Sequence, residues 1–176
     1  MRTFTRSLLI LLALGLLYQP LKAQPVDLND TRTAEQKWVR AVTFSNFGFA
    51  GMIAVAKEAG MTVEEVGNWF GEWGAPTWGA PGETSLSEFV WGYHQNFNIY
   101  PGLEFELLSE SETEIRGQMN TPYAGFFGEN RQRPGVTLEE FRRVFILAYE
   151  VTADYLGFDM THEVDGDRIS FTVKTR

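Results

Sequence analysis

The sequence predicts an α+β fold: a four-stranded antiparallel sheet of two hairpins packs on a central helix, with three N-terminal helices before it. Three observations predict this. Apolar residues recur at helical spacing as far as Phe97, and again from Leu138 to Tyr155. The period changes to two in the segments that start at Leu103 and Thr113. Near the C-terminus, the turn dipeptide Asp165-Gly166 separates two further alternating runs.

Residues 1–23 have the layout of a secretory signal peptide. Arg2 and Arg6 precede the apolar run Leu8 to Leu17, and a cut is expected after Ala23. That run is shorter than the ~20 residues needed to span a bilayer. The expected product is therefore an exported domain, periplasmic or secreted, covering residues 24–176 and without a transmembrane segment. Thr31 or Thr33 caps a first helix that begins near Ala34 and ends at Gly60. This helix is apolar almost all round after Val39, which predicts burial on several sides; Gly48 and Gly51 inside it predict a kink or a close helix contact. Thr62 with Glu65 boxes a second helix that stops at Gly74, and its Val63, Val66, Trp69, Phe70 and Trp73 share helical spacing. The near-duplicate Trp73-Gly74-Ala75-Pro76 and Trp78-Gly79-Ala80-Pro81 reads as an ordered aromatic loop.

Ser85 with Glu88 opens a third helix carrying Leu86, Phe89, Val90, Tyr93 and Phe97 on one stripe, closed by Pro101-Gly102. In the first hairpin, a turn over Ser109 to Ser111 pairs Phe105 with Ile115 and Glu104 with Arg116. A long loop, Asn120 to Val136, reads as a lid or binding loop. Thr137 with Glu140 then boxes the central helix, Leu138 to Leu156, which Gly157 ends. In the last hairpin, a turn centred on Asp165-Gly166 pairs His162 with Ile169, Met160 with Phe171 and Phe158 with Val173, which places His162 on the apolar face.

A formal charge of −8, made more negative once Arg2, Arg6 and Lys22 are removed, disfavours nucleic acid and anionic lipid as partners. With no cysteine, thiol nucleophiles, thiolate zinc sites and iron-sulfur clusters are excluded. No nucleophile elbow, zinc-protease helix, Walker loop or dinucleotide fingerprint is present. Asp165-Gly166-Asp167 lacks the other ligands of a calcium loop, so no metal site is expected. The 14 Phe and 5 Trp exceed what a modest core needs and suggest a lined pocket for a small molecule.

The candidate ligand-binding residues are Trp78, Trp91, Tyr93, Tyr123, Phe126 and Phe127, with His162, His94 and Arg131 offering polar contact. A histidine on the apolar face, His162, suits a base, a haem or metal ligand, or a donor to a ligand; His94 sits at the edge of its helix stripe. Arg131 and Arg133, just before a helix N-terminus, suit a ligand carboxylate. Glu150 and Asp154 lie four apart, so they share a proton or bind a cation if buried and merely repel if exposed.

The stretches Ala153-Asp154-Tyr155-Leu156-Gly157-Phe158 and Glu163-Val164-Asp165-Gly166-Asp167-Arg168-Ile169-Ser170-Phe171 resemble 4-vinyl reductase domains and the related aminothiazoline-carboxylate hydrolase-like proteins. The junction Ala59-Gly60-Met61-Thr62 is similar to that of the hydrolase-like members. The resemblance implies an α+β fold distantly similar to haem-based nitric oxide sensors, with a pocket for a small hydrophobic molecule between sheet and helices. Relatives often carry cysteines near the central helix and in the final hairpin, where this chain has Glu150, Glu163 and Ser170, so cysteine-dependent activity is not expected. The leading expectation is an exported protein that binds an apolar or amphipathic ligand. The alternatives are a hydrolase or lyase using His162 or His94 with Glu150, Asp154 or Asp159, a haem-binding domain, and an envelope-associated structural role.

Overall fold

Side-chain caps fix where the helices begin. In a computed structural model that describes residues 31–176, Thr33, Thr62, Ser85 and Thr137 each accept from the backbone N–H three residues on, and the side chain there reaches back to the cap. These boxes open α1 (Ala34–Glu58), α2 (Val63–Gly74), α3 (Leu86–Phe97) and the central helix, which is α5 (Leu138–Leu156). The fold is α+β, as predicted. The segment predicted to be a signal peptide, residues 1–23, lies outside the described residues.

One four-stranded antiparallel sheet runs in the order β1 (Phe105–Glu110), β2 (Glu114–Asn120), β6 (Arg168–Thr175), β5 (Phe158–Asp165). Both hairpins form with registers other than those predicted. In the first, Phe105 faces Met119 and Glu106 faces Gln118, and a bulge lies between Leu107 and Ser109. The turn falls later because the Ser111 hydroxyl accepts from Glu114 N–H at 3.0 Å while Ser111 N–H donates to the Glu114 carbonyl at 2.9 Å. In the second, His162 faces Phe171, Met160 faces Val173 and Phe158 faces Thr175. Gly166 and Asp167 are the central turn residues, and Gly166 at φ 58° takes the left-handed conformation. The partners move by two in the second hairpin and by four in the first, both even slips, so the side chains paired outside the bulge keep their predicted faces.

The stretch predicted as a long loop contains the short helix α4 (Ala124–Phe127) and a two-stranded ribbon of β3 (Gln132–Arg133) and β4 (Val136–Thr137). The first copy of the Trp-Gly-Ala-Pro repeat is likewise helical, since α2 runs directly into a 3₁₀ turn, Ala75–Trp78, and the second copy leaves the helix after Trp78.

Two glycines set the closest helix contact. A Cβ at Gly67 would stand 2.7 Å from Leu147 Cβ, and one at Gly71 would stand 2.7 Å from Val151 Cβ and 2.8 Å from the Ala148 carbonyl. α2 thus lies backbone to side chain against α5, in the most extensive helix pair of the fold. The sequence pointed instead to Gly48 and Gly51, yet nothing lies within 4 Å of a Cβ built at either. α1 also departs from the burial predicted for it. Only Val42, Asn46, Ala50 and Ile53 are buried, while Phe44, Phe47 and Val55 face outward. By length and composition α1 is apolar enough to cross a membrane, but its inner face is built into the core. Its C-terminal end is tied down by Lys57, whose ammonium donates to the Gly135 carbonyl at 2.9 Å and to Glu140 on α5.

Gly67→Ala and Gly71→Ala are each expected to destabilise the fold by about 1–3 kcal/mol through overpacking. Gly48→Ala, which meets open space, is expected to add roughly 0.5–1 kcal/mol from helix propensity. Urea denaturation of the three variants checks both signs.

Candidate functional site

A pocket of about 300 Å³ lies where α2 passes into the 3₁₀ turn. α1 contributes Ser45 and Phe49, α2 contributes Phe70 and Trp73, and the 3₁₀ turn contributes Thr77 and Trp78. Asn96 and Phe97 of α3 close one side, and Phe145, Ala148, Tyr149 and Thr152 of α5 form the floor. Ile99 and Tyr100 complete the wall. The lining holds no charged side chain and no sheet residue.

The rings brace one another edge to face. Phe49 meets Phe70 at 5.5 Å and Phe145 at 5.4 Å between centroids, and Trp78 meets Tyr149 at 6.0 Å. Gly92 makes room for Trp78, because a Cβ there would come within 2.6 Å of the indole. The buried Asn46 accepts from the Tyr100 hydroxyl at 2.8 Å, which fixes that ring against the pocket wall. Burial pushes the Tyr100 phenol up to about 12. It raises Tyr149 further, only partly offset by a hydrogen bond with Asn96.

A second polar constellation lies behind the pocket. Glu150 Oε1 stands 3.1 Å from His162 Nδ1, and His162 Nε2 stands 3.2 Å from the Tyr93 hydroxyl. With the carboxylate accepting from Nδ1–H, Nε2 is left to accept from Tyr93. The His162 side chain is 1% exposed and that of Glu150 is 27% exposed. Burial first, then the neighbouring Tyr149, Tyr123 and Glu150, raise the Tyr93 phenol well above its ordinary value and keep it a proton donor. The chain joins α5, β5 and α3, and Tyr93 packs edge to face on Tyr149, with ring centroids 4.7 Å apart.

Of the residues the sequence nominated, Trp78 lines the pocket, and Tyr93 lies one ring behind it. Trp91 is on the outer face of α3, 65% exposed. Tyr123 and Phe127 belong to the core around Phe141. Phe126 packs on Phe47 and under the Arg133 guanidinium, which also donates to the Phe126 carbonyl. Arg131 is committed to Asp167, at 2.7 Å through both carboxylate oxygens, and its hydrogen bond holds that carboxyl below the usual range. His94 lies over the Phe105 ring with Nδ1 3.3 Å from Gln95 Nε2. Glu150 and Asp154 are not a pair, since Glu150 turns to His162 while Asp154 binds Arg176, which also donates to Asp159. No cluster of three or more metal-ligating side chains occurs among the described residues.

The space expected between the terminal hairpin and the central helix is filled by Phe158, Met160, Ile169, Phe171 and Val173, all buried. The pocket lies between helices instead. Phe70, Phe97 and Phe145 read in sequence as core stripe, because spacing along one helix does not reveal where neighbouring helices part. The one signal in the sequence was the aromatic, glycine-rich stretch from Trp73 to Trp78.

The fold holds Tyr93, Tyr100, Tyr123 and Tyr149 as neutral phenols, all raised by burial. The unfolded chain ionises them from roughly pH 10. Their stabilising contribution is therefore whole below that pH and is lost as pH rises toward the folded values. In an alkaline titration, phenolate absorbance from these four is expected to appear together with loss of the helical circular-dichroism signal, not before it. Separately, Tyr93→Phe leaves His162 Nε2 unpaired and is expected to cost about 1–3 kcal/mol in denaturant unfolding.

Compared with protein-family profiles, with curated proteins and with solved structures, the chain matches none of them.

Proposed function

We propose that this chain is an exported binding protein for a small apolar or amphipathic molecule held in the aromatic pocket between α1, α2, α3 and α5. The observation that carries the reading is the pocket lining: rings on most sides, hydroxyl and amide groups at Ser45, Thr77, Asn96 and Thr152, and no formal charge. A volume of about 300 Å³ lies at the small end of ligand sites and suits a compact molecule with one polar end. The leader-like segment with Arg2, Arg6 and the run Leu8 to Leu17 supports export. The resemblance of residues 153–171 to 4-vinyl reductase domains points the same way, toward a hydrophobic ligand in an α+β domain.

A hydrolase or lyase is the second reading, and the Glu150–His162–Tyr93 chain favours it. Both ring nitrogens of His162 are already hydrogen-bonded within the protein, which leaves neither open to substrate or to haem iron. His162→Gln with loss of turnover at unchanged affinity would move the balance to catalysis.

The binding test uses the uncharged fluorescent probe 1-aminoanthracene, read by energy transfer from Trp73 and Trp78. Saturable binding is expected. Ser45→Phe, an exposed position at the mouth, is expected to weaken it by at least about tenfold. Trp91→Ala is expected to leave it unchanged. If the probe does not bind, and native mass spectrometry of protein from its source finds no copurifying molecule, the reading fails.

A further inference from the structure

α1 presents a second, exposed stripe on the side away from the core. Lys37, Phe44, Gly51 and Glu58 recur every seven residues, with Ala41, Gly48 and Val55 interleaved four residues after the first three. That is the two-in-seven seam with which one helix packs along another. Phe44 is 79% exposed, more than any other large apolar side chain of the described residues. Gly51 is open to solvent, and beside it runs an apolar groove of about 470 Å³ walled by Met52, Val55, Met61 and Trp69. The seam therefore carries a knob and a hole about 10 Å apart along one helix.

From this we infer that the outward face of α1 pairs antiparallel with α1 of a second copy of this chain. A twofold axis passing near Phe47 and Gly48 sets Phe44 of each copy over Gly51 of the other and fills the groove twice. The same axis sets Lys37 of each copy opposite Glu58 of the other, with Arg40 one turn away, so opposite charges meet at both ends. A parallel pairing would instead stack Phe44 on Phe44 and like charge on like charge. A lipid surface suits the face less well. Interfacial helices draw on basic polar flanks, whereas the adjoining α2 exposes Glu64 and Glu72 in a protein of charge −8.

Sedimentation velocity of the full chain at about 1–50 µM is expected to show a concentration-dependent dimer. Phe44→Glu, at a position too exposed to threaten folding, is expected to weaken it by more than about tenfold. Lys37→Glu and Glu58→Lys are each expected to weaken the dimer, and together to restore it. Because the chain has no cysteine, Gly48→Cys reads the geometry directly: oxidation is expected to link two copies near the axis. Val55→Cys, roughly 20 Å from its counterpart in the antiparallel arrangement, is expected to stay unlinked. A monomer throughout this range would overturn the inference, whether or not it cosediments with phosphatidylcholine vesicles. So would a Phe44→Glu protein that still dimerises, or Val55→Cys crosslinking as readily as Gly48→Cys.

Discussion

The approach of α2 to α5 at Gly67 and Gly71 is the constraint on which the rest of the molecule depends. Two missing side chains, one helical turn apart on the same face, let the backbone of α2 rest on Leu147 and Val151. With that spacing fixed, Val66 is sealed against the core, and Phe70, between the two glycines, turns toward Phe49 and Phe145. Beyond Gly71, α2 tightens into the 3₁₀ turn, which carries Trp78 across to Gly92 on α3. The pocket lies beside that turn, with Trp73, Thr77 and Trp78 in its wall, and its rings reach into it from several elements at once.

The sheet supplies rigidity rather than a cavity. Phe171 lies over Gly117 of the neighbouring strand, a second place where a missing side chain admits a ring. It packs on Phe105 and Tyr93, with centroids 5.5 Å and 5.1 Å away. The Glu150–His162–Tyr93 chain then ties sheet, central helix and α3 through one buried imidazole with both nitrogens satisfied. Such a network fixes how the helices seat on the sheet, since a half-made version would leave a buried polar atom without a partner.

Much of this fold was legible in the sequence, and the exceptions have physical causes. Helix limits were legible because Thr62, Ser85 and Thr137 each carry their reciprocal partner three residues on, and Gly157 supplies the left-handed stop at φ 94°. Strand faces were legible because alternation survives an even slip; the registers were not, because the Ser111 hydroxyl and the φ of Gly166 decide where each turn closes. The close helix contact was written as Gly67 and Gly71, four apart beside Val66 and Phe70. It went unread because Gly48 and Gly51, in a more apolar helix, carry the same signature without the neighbour. The pocket was the least legible part. Its lining comes from α1, α2, α3, α5 and the turns between them, and no spacing within one segment encodes their convergence.

α1 shows how one helix is divided among separate tasks. Val42, Asn46, Ala50 and Ile53 face the core, and Asn46 anchors Tyr100 at the pocket wall. Ser45 and Phe49, on the flank of that buried face, reach the pocket itself. Phe44, Gly48, Gly51 and Val55 lie on the side opposite the buried face, about 100° or more around the helix from Phe49, with Gly48 about 60° from Ser45. A second copy seated on that outer seam would thus border the Ser45 mouth at Gly48 and leave Phe49 on the far side. The uncharged run from Ala41 to Ala56 follows from this division: with a pocket flank, a core face and a pairing seam on successive sides, no side of the helix is left for a charged residue.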